Sequence, residues 1–111
     1  MNTEKLVLKY FQSWKEKGSL NEINECLSPD LKINSGFFEF ESSASFIGFL
    51  EEHFTPWNNI TLISSFFSEN FAAILYEGVN AETNQKMRVS EHLTISKGKI
   101  KTIETVIAQV A

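Results

Sequence analysis

The stretch Met-Arg-Val-Ser-Glu-His-Leu-Thr-Ile-Ser, residues 87–96, runs into Lys97-Gly98 and then into Lys99 to Val110. Met87, Val89, Leu93 and Ile95 fall on one side of an alternation; Arg88, Ser90, His92, Thr94 and Ser96 fall on the other. A strand sends successive side chains to opposite faces, so this is a half-buried strand. Lys97-Gly98 reads as a tight hairpin turn, and the chain returns as a last strand. Glu91 breaks the alternation in the middle of the apolar face. A carboxyl there is costly unless it is hydrogen-bonded, neutralised, or opens onto a cavity. The candidate partners are Tyr10, Trp14 or a buried water. His92 points away from Glu91 by parity.

Working outward, Ile60 to Ser68 and Phe71 to Ala81 read as two further strands, joined by turns at 68–70 and 82–85, which completes a β-meander. Tyr76 and Glu77 lie on opposite faces of the second of these strands. One of them faces inward, and the sequence leaves open which. The last strand is apolar on both sides: Ile103, Thr105 and Ile107 on one, Val106, Ala108 and Val110 on the other. Such a strand is covered on both faces. Helices supply one cover, and a second copy of the chain is the simplest source of the other.

The first half reads as helices around a short hairpin. Asn2 or Thr3 caps a first helix whose apolar face is Leu6, Val7, Tyr10, Phe11 and Trp14, with Lys15, Lys17 and Gly18 at its end. Ser19 to Glu22 forms a capping box for a second short helix, buried through Leu20, Ile23, Cys26 and Leu27 and ended by Pro29. Leu31 to Ser35 and Phe37 to Glu41 alternate as short strands on either side of Gly36. Ser42 or Ser43 caps a third helix in which Phe46, Phe49, Leu50 and His53 share the buried stripe, with Thr55-Pro56 closing it. Gly48 inside this helix, at about 1 kcal/mol against Ala, suggests close packing.

With 111 residues, one domain is expected. Ten phenylalanines exceed what a small core needs, which suggests a lined cavity or a buried dimer face. A net charge of −4 with scattered basic residues argues against nucleic-acid binding. The single cysteine, Cys26, allows neither an intramolecular disulfide nor a cysteine-based metal site. No apolar run approaches the roughly 20 residues of a membrane span. The start of the chain has no secretory pattern. A cytoplasmic protein without metal or cofactor, and without nucleic-acid or membrane partners, is expected.

Three helices, a short hairpin and a long antiparallel meander are the element order of the nuclear transport factor 2-like fold. The chain resembles its SnoaL-like branch over essentially its whole length. The likeness is carried by Tyr10 to Leu27, by Leu27-Ser28-Pro29-Asp30-Leu31-Lys32-Ile33, and by Ser96-Lys97-Gly98-Lys99-Ile100. The resemblance implies an α+β cone, with helices packed in the concave face of a curved, mostly antiparallel sheet that holds a small-molecule site. Ketosteroid isomerase and polyketide cyclases are enzymes of this group. By that resemblance, Tyr10 stands where the isomerase's oxyanion tyrosine stands, Glu91 where its sheet Asp stands, and Ser35 where its base Asp stands. A serine hydroxyl is no carboxylate base, so isomerisation by that mechanism is not implied. Glu91 and Tyr10 are thus the candidate catalytic residues. Trp14, Ser35, Phe49, His53, Met87, Val89, Leu93, Ile103, Thr105 and Ile107 are the candidate ligand contacts. The expected function is binding of a small apolar ligand, with isomerase, cyclase or dehydratase chemistry. The alternative is a non-catalytic dimeric module that binds a ligand or peptide, the dimer forming through the outer sheet face.

Overall fold

The computed structural model describes residues 2–15, 20–36, 38–54 and 57–110. The expected helix stop at Lys17 and Gly18, the start of the capping box at Ser19, Phe37, and the Thr55-Pro56 closure lie outside the described residues, as does the side chain of Lys15. The elements run α1 (Thr3–Lys15), α2 (Leu20–Glu25), β1 (Leu27–Asn34), β2 (Glu39–Phe40), α3 (Ser43–His53), β3 (Trp57–Phe67), β4 (Phe71–Asn80), β5 (Lys86–Ser96) and β6 (Lys99–Gln109). The strands form one curved, unclosed sheet in the order β2-β1-β6-β5-β4-β3, with β1 parallel to β6 and the other pairs antiparallel. This is the α+β arrangement expected from the sequence.

Local chemistry accounts for the elements. Asn2 Oδ1 accepts from the Lys5 amide at 2.8 Å, and Ser42 Oγ accepts from the Ser45 amide at 3.1 Å, so Asn2 and Ser42 cap α1 and α3. Lys97 and Gly98 both have positive φ, 53° and 74°, the backbone of the primed turns whose twist matches a two-residue hairpin. On β5 the burial alternates as the sequence predicts, with Val89, Glu91, Leu93 and Ile95 buried and His92 exposed. On β4 the buried set is Ala72, Ile74, Tyr76 and Gly78, so Tyr76 faces inward and Glu77 outward.

Three expectations are corrected. The second helix ends at Glu25, and Leu27 begins β1 rather than closing α2. Pro29 is accommodated in the strand because the β1–β6 register shifts between Leu27 and Lys32, where a missing N–H costs no ladder bond. Gly48 does not mark close packing, since a Cβ at that position meets nothing within 4 Å. His53 does not share the buried stripe: it is the last residue of α3, and its side chain is 60 % exposed beside the Phe49 ring.

The two ends of the concave face are filled differently. Thr3 Oγ1 donates to the Glu69 carbonyl at 2.6 Å, pinning the start of α1 over the β3–β4 turn. Leu6, Val7, Ala72, Leu93 and Ile100 are all buried in a solid core. Each large aliphatic side chain there contributes about 1.5–3 kcal/mol. Tyr10 and Trp14 lie one and two turns further along α1 than Leu6, over the other end of the sheet.

Candidate functional site

Glu91 is the centre of that second end. Strand register places Thr105 directly opposite it on β6 and Ile74 directly opposite on β4, with Tyr76 one step diagonal and paired to Val89. Cross-strand neighbours at these positions are within reach of one another. Tyr76 Oη donates to Glu91 Oε1 at 3.1 Å and Thr105 Oγ1 donates to Glu91 Oε2 at 3.0 Å. The expected partners were Tyr10, Trp14 or water; β4 and β6 supply Tyr76 and Thr105 instead, because hydroxyls on flanking strands lie closer than groups on a helix a layer away.

Glu91 is only 5 % exposed. Burial pushes its pKa up to about 7, against the opposing donation of Thr105 and Tyr76. Burial, and then the negative charge of Glu91, push both the Tyr10 and Tyr76 phenols well above their ordinary range, so both remain protonated donors at neutral pH. The Trp14 indole N–H acts in the opposite direction on Tyr10. Trp14 Nε1 is nevertheless buried without a hydrogen bond of normal geometry among the described residues, so its influence on Tyr10 is that of a nearby dipole rather than a formed bond. Its ring stacks on Phe54 at 5.4 Å and meets the edge of Tyr10 at 6.2 Å.

A cavity of about 180 Å³ lies between helices and sheet at this end. Of the side chains predicted for the site, Tyr10, Trp14, Ser35, Phe49 and His53 line it from the helical side and the β1–β2 turn, and Val89, Glu91, Ile103, Thr105 and Ile107 from the sheet. Met87 and Leu93 share the face without lining the cavity: Met87 is half-buried near the start of β5 and Leu93 sits in the solid core. Ser35 Oγ accepts from the Phe38 amide at 3.0 Å in the turn through Gly36, so its hydroxyl is engaged locally. His53 stands at the mouth.

Sequence reasoning missed Trp57, Phe38, Phe40, Phe46, Ile33 and Leu50 as lining, and left Tyr76 undecided. One signal could have settled Tyr76. Counting outward from the β4–β5 turn pairs Glu77 with Arg88, and Arg88 and Lys86 do hold the Glu77 carboxylate on the outer face. Trp57 is placed by Gly78, where a Cβ would approach Trp57 Cε3 to 2.9 Å. The glycine lets the indole lie against the β4 backbone.

Among the described residues, no group of three or more His, Cys, Asp or Glu side chains is arranged to hold a metal. No lysine or arginine lines the cavity among them either. Among the described residues the site offers one buried acid, two phenols, the hydroxyls of Thr105 and Ser35, the two indoles of Trp14 and Trp57, and the His53 imidazole at the mouth, within an aromatic and aliphatic wall.

The sequence matches no family model and no curated protein. Solved structures do match. A nuclear transport factor 2-like protein of unknown function from Cytophaga hutchinsonii superposes with a TM-score of 0.82 at 15 % identity, over 97 % of this chain and 91 % of that one. A protein from Kribbella flavida provisionally named a ketosteroid isomerase gives a TM-score of 0.83 at 15 % identity, covering 96 % and 78 %. A Jannaschia protein provisionally named a SnoaL-like polyketide cyclase gives 0.79 at 12 %, covering 94 % and 83 %. Together with the sheet order and the helices on its concave face, these likenesses identify the fold, which is the nuclear transport factor 2-like α+β fold.

Proposed function

We propose that the chain is a SnoaL-like small-molecule-binding domain that holds a compact apolar ligand in the cavity against Glu91, and that Glu91 transfers a proton in an isomerase-, cyclase- or dehydratase-type reaction. The observation that carries this reading is a buried carboxyl on the cavity wall, held by the Tyr76 and Thr105 hydroxyls with no cation beside it among the described residues, and burial pushes its pKa up to about 7. A group poised near the working pH can both give and take a proton. Tyr10 stays protonated and serves as a donor to a developing negative charge, while the Tyr76 hydroxyl holds Glu91. Aromatic and aliphatic walls exclude water and select for an apolar substrate.

A second reading follows from one specific observation. Among the described residues Glu91 is the only carboxylate lining the cavity, and Ser35, at the position where the isomerase resemblance would put a base, is engaged in a turn. A non-catalytic ligand-binding module needs no second base. Glu91→Gln separates the two: under the enzymatic reading turnover of a bound compound falls by roughly 10²–10⁴-fold with binding retained. If binding and any downstream effect survive unchanged, the module reading holds. A protein-observed NMR screen of small cyclic compounds tests both. Binding that perturbs Tyr76, Thr105 and Trp57 signals supports the cavity as the site, and an inert cavity across the panel contradicts it.

The outer sheet face supports a homodimer in this reading. Val106 and Phe66 are 69 % and 60 % exposed there. Sedimentation at micromolar concentration as a dimer, reduced to monomer by Val106→Asp, supports it; a monomer in the unaltered chain overturns it. The lone buried thiol of Cys26 suits a reducing compartment such as the cytoplasm.

A further inference from the structure

The Trp14 indole N–H is the one buried side-chain donor or acceptor among the described residues that finds no partner. A buried N–H left without an acceptor is costly, so native structures satisfy such groups. Trp14 lines the cavity, and its neighbours on the other sides are rings: Tyr10, Phe46 and Phe54. Of these neighbours only the Tyr10 hydroxyl carries an acceptor; the indole N–H acts on it from nearby, but the two form no hydrogen bond of normal geometry.

We propose that the Trp14 N–H anchors the ligand, and that the ligand is an uncharged molecule about the size of one substituted ring, presenting an oxygen acceptor to Trp14. This rests on reading the cavity as a small-molecule site. Size follows from the volume: a dry protein cavity of roughly 150 Å³ accepts benzene, and this one is about 180 Å³. A fused multi-ring skeleton overfills it. Charge follows from the wall. An anion meets the Glu91 carboxyl with no lysine or arginine among the described lining residues to offset it. A cation leaves the indole N–H unpartnered and faces the positive end of its dipole. An oxygen acceptor such as a ketone, ether or epoxide satisfies the N–H directly and leaves the hydrocarbon part to the aromatic walls.

The test compares cyclohexanone with methylenecyclohexane, which has the same shape and no oxygen. The chain has two tryptophans, so its NMR spectrum carries two indole N–H signals, and Trp14→Phe identifies one by its loss. Cyclohexanone is expected to bind the unaltered protein roughly tenfold more tightly than methylenecyclohexane, to shift the Trp14 indole signal downfield, and to lose that preference in Trp14→Phe. Equal binding of the two probes with an unmoved Trp14 signal overturns the proposal and leaves the cavity reading standing. If neither probe binds or perturbs any cavity signal, the cavity reading and the proposal fall together. The comparison within the unaltered protein is decisive even where Trp14→Phe folds poorly.

Discussion

Leu93 and Glu91 stand two residues apart on the same face of β5, and their surroundings differ completely. Leu93 pairs across the sheet with Ala72 and Ile103 and is buried in solid core under the start of α1. Glu91 pairs with Ile74 and Thr105 and borders a hollow under the end of α1. One strand and one face thus serve two purposes. The packed end supplies stability, and the hollow end spends some of it to keep a carboxyl out of water. Natural sites often carry such a local penalty, sustained by packing elsewhere.

The sharpest way to break this contrast is by truncation at each end. Leu93→Ala is expected to cost about 2–5 kcal/mol by urea denaturation. Ile107→Ala, on the partly exposed rim of the cavity, is expected to cost less than about 1 kcal/mol. Similar losses at both positions would mean that the hollow end is packed after all. The pH dependence sharpens the same point. The folded pKa of Glu91 is about 7, raised from 4.5. The folded state therefore holds a proton that the unfolded chain has released between those values. Stability contributed here is full below pH 4.5 and is lost as pH rises through 7, by about 3 kcal/mol in all. Glu25, Asp30 and Glu77, held below their usual range mainly by hydrogen bonds from Lys9, Ser28 and Arg88 respectively, act in the opposite sense, and only at lower pH. Glu91→Gln should flatten the decline between pH 5 and pH 8 and leave the variant more stable than the parent at the upper end. An unchanged slope would remove Glu91 as its source.

Two glycines give smaller effects of opposite sign. Gly78→Ala drives a methyl into the Trp57 ring. It should cost about 1–3 kcal/mol and shift tryptophan emission, because Trp57 also walls the cavity. Gly48→Ala meets open space. It should stabilise α3 by up to about 1 kcal/mol. Destabilisation at Gly48 would indicate a neighbour covering that helix face.

The readable parts of the sequence were those in which one physical signal dominated. On β5 the alternation is clean, so a single carboxyl on its apolar side stood out. The Lys97-Gly98 turn fixed the register of β5 against β6, and so brought Thr105 opposite Glu91. On β4, Ala72, Ala73, Ile74 and Leu75 are apolar on both faces, so parity could not orient Tyr76. Only the pairing of Glu77 with Arg88 across strands resolves it. The start of β3 was hidden for another reason. Asn59 has a φ of 54° and the ladder shifts between Asn58 and Thr61, so Trp57 joins the strand across an irregularity that a period-two search reads as loop. His53 was misplaced because helical spacing continues its stripe past the point where α3 stops being covered.

Glu91 sits near the edge of ionisation inside an apolar hollow. Titration of its side-chain carboxyl carbon by NMR, in protein labelled at glutamate and assigned with Glu91→Gln, measures this directly. A midpoint of about 7 is expected. A midpoint near the ordinary value of 4.5 would show a solvated carboxyl and contradict it.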